Sequence, residues 1–205
     1  MRVLVLETQA GVAASAAERL EASGHEVLRC HEQSQRHAFP CAGLAENGGC
    51  PLDGPGVDVA LTVRHEAMPE PADLEDGVAC ALRAHVPLVV AGDTSFNPYA
   101  SYDATVVNGA DVVDVCEQVA NAPLQRHGMV ALDALRASLT RHGVADAEVE
   151  AIVYRSRDGL KVTLLVPADA PDDAAALATT RVVGALRNLD RNAHSIDVAM
   201  ERLPG

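Results

Sequence analysis

Five cysteines, Cys30, Cys41, Cys50, Cys80 and Cys116, are the side chains of this 205-residue sequence with the most chemistry to offer. Three of them fall within residues 30 to 56, spaced C-x10-C-x8-C and accompanied by His31 and His37. Thiolates and imidazoles are the usual donors to zinc, and three sulfurs need one further donor to complete a tetrahedron. His37 stands four positions before Cys41, a spacing that one helical turn brings to one side. The expected metal-ligand set is therefore Cys30, Cys41, Cys50 and His37. His31 follows Cys30 directly and is expected to point away if the preceding strand continues, and His65 is a more remote option for the fourth place. Cys80 and Cys116 fall in helical patterns and are read as core residues. An odd number of cysteines makes disulfides the least expected use.

The stretch around the three cysteines carries Gly43, Gly48, Gly49, Gly54 and Gly56 with Pro40, Pro51 and Pro55, which forbids a long helix across most of it. A loop of this length in a compact domain is uncommon unless it is functional or stapled, and a bound metal supplies a staple. The metal is open between zinc and an iron–sulfur cluster. Cys50-Pro51 resembles the Cys-Pro step of cluster ligands, and three loosely spaced cysteines with one other donor resemble the loops of cluster-sensing bacterial repressors.

The elements that must hold this loop form a β-α-β pattern. Val3 to Leu6 is a continuous apolar run, Val12 to Ala22 an Ala-rich helical stretch closed by Gly24, and His25 to Arg29 a second strand. Val57 to Val63, Val86 to Ala91 and Ala104 to Val107 supply three more strands. Leu74, Val78 and Leu82 lie on one helix between them, and a last helix from Asp111 to Ala120 places Cys116 in its apolar stripe. The expected fold class is α/β, a doubly wound parallel five-stranded sheet of order 2-1-3-4-5. Its carboxyl edge receives Cys30, Glu7, Thr8, Arg64, His65 and the loop from Gly92 to Tyr99. Asp93, Thr94, Ser95 and Asn97 of that loop are read as a polar surface turn ahead of a ligand site.

Over about residues 2 to 120 this order resembles the receiver domain of response regulators, a flavodoxin-like fold. Receivers carry an acidic pair after the first strand, a phosphoacceptor Asp ending the third, a Thr or Ser ending the fourth and a Lys ending the fifth. The matching places here hold Glu7 with Thr8, Val63, roughly Gly92 and roughly Asn108. The resemblance thus implies a pseudo-receiver without aspartyl phosphorylation. Motifs for nucleotide hydrolysis, dinucleotide redox and serine hydrolysis are absent from the sequence.

A second, smaller α+β domain of order α-β-β-α-β follows. Met129 to His142 reads as a helix and Val149 to Arg155 with Leu160 to Val166 as a hairpin turned at Asp158-Gly159. A helix from Asp172 to about Leu189 turns Ala178, Val182, Ala185, Leu186 and Leu189 inward, and Ile196, Val198 and Met200 alternate in a closing strand. Across about residues 130 to 203 this resembles the cytosolic domain of cation-diffusion-facilitator transporters and, more loosely, the BON domain. Those transporter domains dimerise and bind metal through a helix histidine. The matching stretch here is Ala174-Ala-Ala-Leu-Ala178, so the resemblance implies dimerisation and not metal binding. His194 is read as an inert surface residue.

The formal charge is −13. Residues 1 to 122 hold 18 acids and 6 bases, whereas residues 123 to 205 hold 11 and 10, a difference of −12 against −1. The expected domains are residues 1–122 and 129–205, joined by a linker at 123–128. Such acidity excludes a nucleic-acid or anionic-membrane partner. The apolar run before Glu7 is too short for a signal-peptide core or a spanning helix, so a cytoplasmic protein with a protein partner or a second copy of itself is expected. Three functions are weighed: a non-catalytic, metal-linked regulatory or binding protein; an enzyme using Cys30, His65 or Asp93; and a docking module for a basic partner.

Overall fold

The structure, a computed structural model, describes residues 1–31, 39–45, 48–53, 56–102, 104–144, 148–156, 159–191 and 193–203. The chain divides into two compact units, Met1–Asn121 and Ala122–Gly205. Among the described residues no helix is long and apolar enough to cross a membrane.

The first unit is built on five parallel strands, β1 (Arg2–Glu7), β2 (Glu26–Arg29), β3 (Val59–Arg64), β4 (Leu88–Gly92) and β5 (Thr105–Val106), in the order β2-β1-β3-β4-β5. The expected order is the observed one. Continuous aliphatic runs become central strands because a parallel sheet is buried on both faces, and every residue of β3 is buried. Helices α1 (Ala14–Ala22), α2 (Asp76–Arg83) and α3 (Val112–Asn121) complete the unit. Gly24, at φ +81°, ends α1 in the left-handed conformation that its lack of a Cβ permits. The Leu74 pattern splits: Asp73–Glu75 form a 3-10 turn before α2 proper begins.

Side chains alternate between the two faces of this sheet. Val3, Val5, Val59, Leu61, Val63 and Val89 pack with Leu20 of α1 and Val112, Val115 and Cys116 of α3. Leu4, Leu6, Ala60, Leu88 and Val90 pack with Cys30, with Val78 and Ala81 of α2, and with Tyr99. Gly77 brings α2 down onto this second face. A Cβ there would lie 2.6 Å from Leu6 Cδ2 and 2.9 Å from Cys30 Sγ, so only glycine allows that approach.

The second unit contains α4 (Gln125–Arg141), β6 (Glu150–Ser156), β7 (Gly159–Val166), α5 (Asp172–Leu189) and β8 (Ser195–Arg202). Strands β6 and β7 are antiparallel with Ser156 opposite Gly159, while Asp158 of the expected turn lies outside the described residues. Strand β8 returns parallel to β7, giving a sheet of order β6-β7-β8. Helix α4 starts at Gln125, four residues ahead of the expected Met129. His127 packs in the interior at 2 % exposure, and its ring Nε2 lies 3.3 Å from the buried Asp190 Oδ2. On α5, Ala174 and Ala175 are buried, whereas Ala185 and Leu189 are only half-buried.

Candidate metal centre

Cys30 follows the last residue of β2 and is buried against the face that α2 covers. Its carbonyl accepts the N–H of Ala42 at 2.7 Å, which returns the chain to the end of β2 and places Cys41 beside it. A single 3-10 turn, Ala42–Leu44, follows. Its Gly43 lies against Cys50: a Cβ at position 43 would stand 3.0 Å from Cys50 Cβ. The Cys50 carbonyl then accepts the Asp53 N–H at 3.0 Å, turning the chain once more. One glycine approach and one long-range backbone hydrogen bond therefore gather Cys30, Cys41 and Cys50 at one corner of the sheet. All three are free thiols.

The electrostatics report the same gathering. Burial raises the Cys30 thiol first, and Cys50, Cys41 and Cys80 add to the rise, bringing it from 9.0 to about 12. A nucleophilic cysteine needs the opposite displacement, so Cys30 is poorly suited to covalent catalysis. Cys80 is the member of this group that sequence reasoning missed. It is half-buried rather than a core residue, and Arg83 Nη2 donates to its sulfur at 3.1 Å. Cys116, by contrast, is fully buried among valines, and burial alone raises its thiol to about 12.

His37 lies outside the described residues. His31 is half-buried, both of its ring nitrogens are shielded from solvent, and neither has a hydrogen-bond partner among the described residues. Burial lowers its pKa, while the Asp76 carboxylate at the start of α2 opposes that shift. His65 is exposed; its backbone N–H donates to Thr8 Oγ1 at 2.9 Å. Among the described residues no group of three or more His, Cys, Asp or Glu side chains is arranged to hold a metal ion. A tetrahedral zinc needs each sulfur at about 2.3 Å, so ligation requires the thiols to draw closer than they stand. The donor set itself fits: free, neighbouring thiols are the soft ligands that zinc and iron–sulfur clusters select.

The rest of the carboxyl edge is occupied by the protein's own contacts. Glu7 Oε2 accepts the Ala13 N–H at 2.9 Å and so satisfies a donor at the start of α1. Arg64 and Glu75 form a buried ion pair at 3.0 Å with both side chains sealed from water. Glu75 also accepts the Thr62 hydroxyl at 2.7 Å and the Ala72 N–H at 2.9 Å. Arg64 Nη2 donates to the Met68 and Glu70 carbonyls, and its Cζ lies 6.0 Å from the centre of the Tyr99 ring. Both terminal nitrogens of Arg64 are thus committed within the protein, which closes this guanidinium to a substrate anion. Asp93 Oδ1 accepts the Ser95 N–H and Asn97 Oδ1 the Tyr99 N–H, local turns that occupy one side-chain oxygen of each residue. Hydrogen bonds from Ser95 hold the Asp93 carboxyl below its ordinary value.

No protein-family model matches this chain, and a search of curated proteins finds no match. The functional reading therefore rests on the chain's own residues.

Proposed function

We propose that this chain is a non-catalytic, metal-linked regulatory or binding protein whose first unit holds zinc or an iron–sulfur cluster through Cys30, Cys41 and Cys50. The observation that carries the reading is the return of the chain to Cys30 at Ala42 and the approach of Gly43 to Cys50, which sets three free thiols around one corner of the sheet. Bound metal would supply what a loop poor in regular structure lacks, since ligation free energy becomes folding free energy. The sheet order agrees with a receiver-like unit, while Val63 at the acceptor place offers no carboxylate for phosphorylation. The second unit serves in this reading as a self-association module. Its helices pack against Val153, Leu160, Val162 and Leu164, which leaves Ile152, Tyr154, Thr163 and Leu165 on the sheet's opposite face.

The test is metal content. The full chain is purified aerobically and anaerobically, and zinc, iron and visible absorption are measured for wild type and for Cys41→Ser. The expected result is about one zinc or one cluster per chain, with at least a tenfold loss in Cys41→Ser. Equal, negligible metal in both overturns the reading.

A further inference from the structure

We propose that Cys80 of helix α2 is the fourth thiolate donor, closing a four-cysteine centre with Cys30, Cys41 and Cys50 in place of the histidine expected at position 37. The inference rests on the metal reading above and deepens it: the centre would be all-sulfur and would clamp the loop to a helix. The geometry begins with Gly77, whose Cβ position lies 2.9 Å from Cys30 Sγ, so that α2 and the Cys30 sulfur are in contact. Cys80 sits three residues further along the same helix, about 60° round it from Gly77, and so flanks that contact. Ala42 is tied to the Cys30 carbonyl and Gly43 to Cys50, which brings the other two thiols to the same corner.

A second observation separates Cys80 from an ordinary helix cysteine. Arg83, one turn on, donates from Nη2 to the Cys80 sulfur at 3.1 Å. Four thiolates around a divalent ion leave a net charge of −2, and a guanidinium on one of the sulfurs offsets part of it. Arg83 is the only Lys or Arg on α2 and, with Arg64 locked onto Glu75, it supplies this corner with a cation that is not paired to a carboxylate in the described structure.

The test uses the reduced full chain with zinc ion as the probe. Each cysteine's alkylation rate is measured by mass spectrometry with and without added Zn2+. Zinc is expected to slow alkylation of Cys30, Cys41, Cys50 and Cys80 together by at least tenfold and to leave Cys116 unchanged. Protection of Cys41 and Cys50 with Cys80 unaffected would overturn the Cys80 assignment and keep the metal reading. Protection of none of the four overturns both. In parallel, Co2+ is titrated into wild type, Cys80→Ser, Cys116→Ser, His31→Ala and His37→Ala. Cys80→Ser should lose about a quarter of the sulfur-to-cobalt charge-transfer intensity, one thiolate in four, while Cys116→Ser and both histidine variants keep all of it. Full intensity in Cys80→Ser, with loss in either histidine variant, assigns the fourth place to that histidine and sinks the proposal.

Discussion

The two faces of the five-stranded sheet are closed by different means. One face is covered by two helices, α1 and α3, through an aliphatic layer in which Cys116 is merely another apolar side chain. The other has a single eight-residue helix, α2, and relies on Cys30, Leu52, Val57 and Tyr99 for the remainder. Apart from Glu7 at the start of α1, the buried polar side chains of the first unit gather on this thinner side: Thr62, Arg64 and Glu75, with Cys30 and its neighbouring thiols at the corner. A face covered by one short helix in place of two has less helical surface to hold it. Ion pairing, glycine-mediated close approach and, on the present proposal, metal ligation take over that task.

The sharpest way to break this comparison is Glu75→Ala. Removing the carboxylate strands the Arg64 guanidinium in a sealed site, and urea unfolding should show a loss of about 3–5 kcal/mol. A loss below about 1 kcal/mol would mean that the thinner face does not depend on the pair. On the opposite face, the Cys116 thiol ionises near 9.0 when unfolded and near 12 when folded. Its folded pKa is raised, so the associated stability is fully present below pH 9 and is lost as pH climbs from 9 towards 12. The slope should be roughly 1.4 kcal/mol per pH unit from this one group. Cys116→Val should remove its share of the alkaline slope, and an unchanged slope in that variant would contradict the assignment.

A smaller effect separates two helix glycines. Gly184, with open space around it, should accept alanine with a gain of up to about 1 kcal/mol. Gly77→Ala must instead displace Leu6 or Cys30, and the overpacking should outweigh the helix gain by about 1 kcal/mol in thermal or urea melts. Equal gains at both sites would show that α2 is not pressed onto the thinner face. The smallest effect belongs to the exposed Arg19–Asp111 ion pair that joins the α1 side to the start of α3. Arg19→Ala should cost at most about 0.5 kcal/mol and nothing in high salt.

Much of the first unit was legible because a buried parallel strand must be a continuous aliphatic run, and such runs stand out at residues 3–6, 57–63 and 86–91. Cys116 was legible for a related reason, since the 3.6-residue period of Val112, Val115 and Val119 carries it into the core. The same reasoning misplaced Cys80. Periodicity counts which side of a helix is apolar, but Cys80 lies at the margin of its stripe, half-buried, with Arg83 of the next turn on its sulfur. Arg64 with Glu75 was missed likewise, because an ion pair between a strand end and a 3-10 turn has no spacing signature.

In the second unit the alternation of β7 and the spacing of α5 announced themselves, while His127 with Asp190 did not. His127 lies within what read as a linker, and its partner is 63 residues away. The sequence alone determined the strands, the sheet order and the three-thiol loop, since these follow from local period, chain connectivity and composition. Tertiary structure decided which thiols and charges become neighbours. A buried sulfur or guanidinium takes its pKa, its partners and its possible ligands from groups that meet only when distant segments close over it.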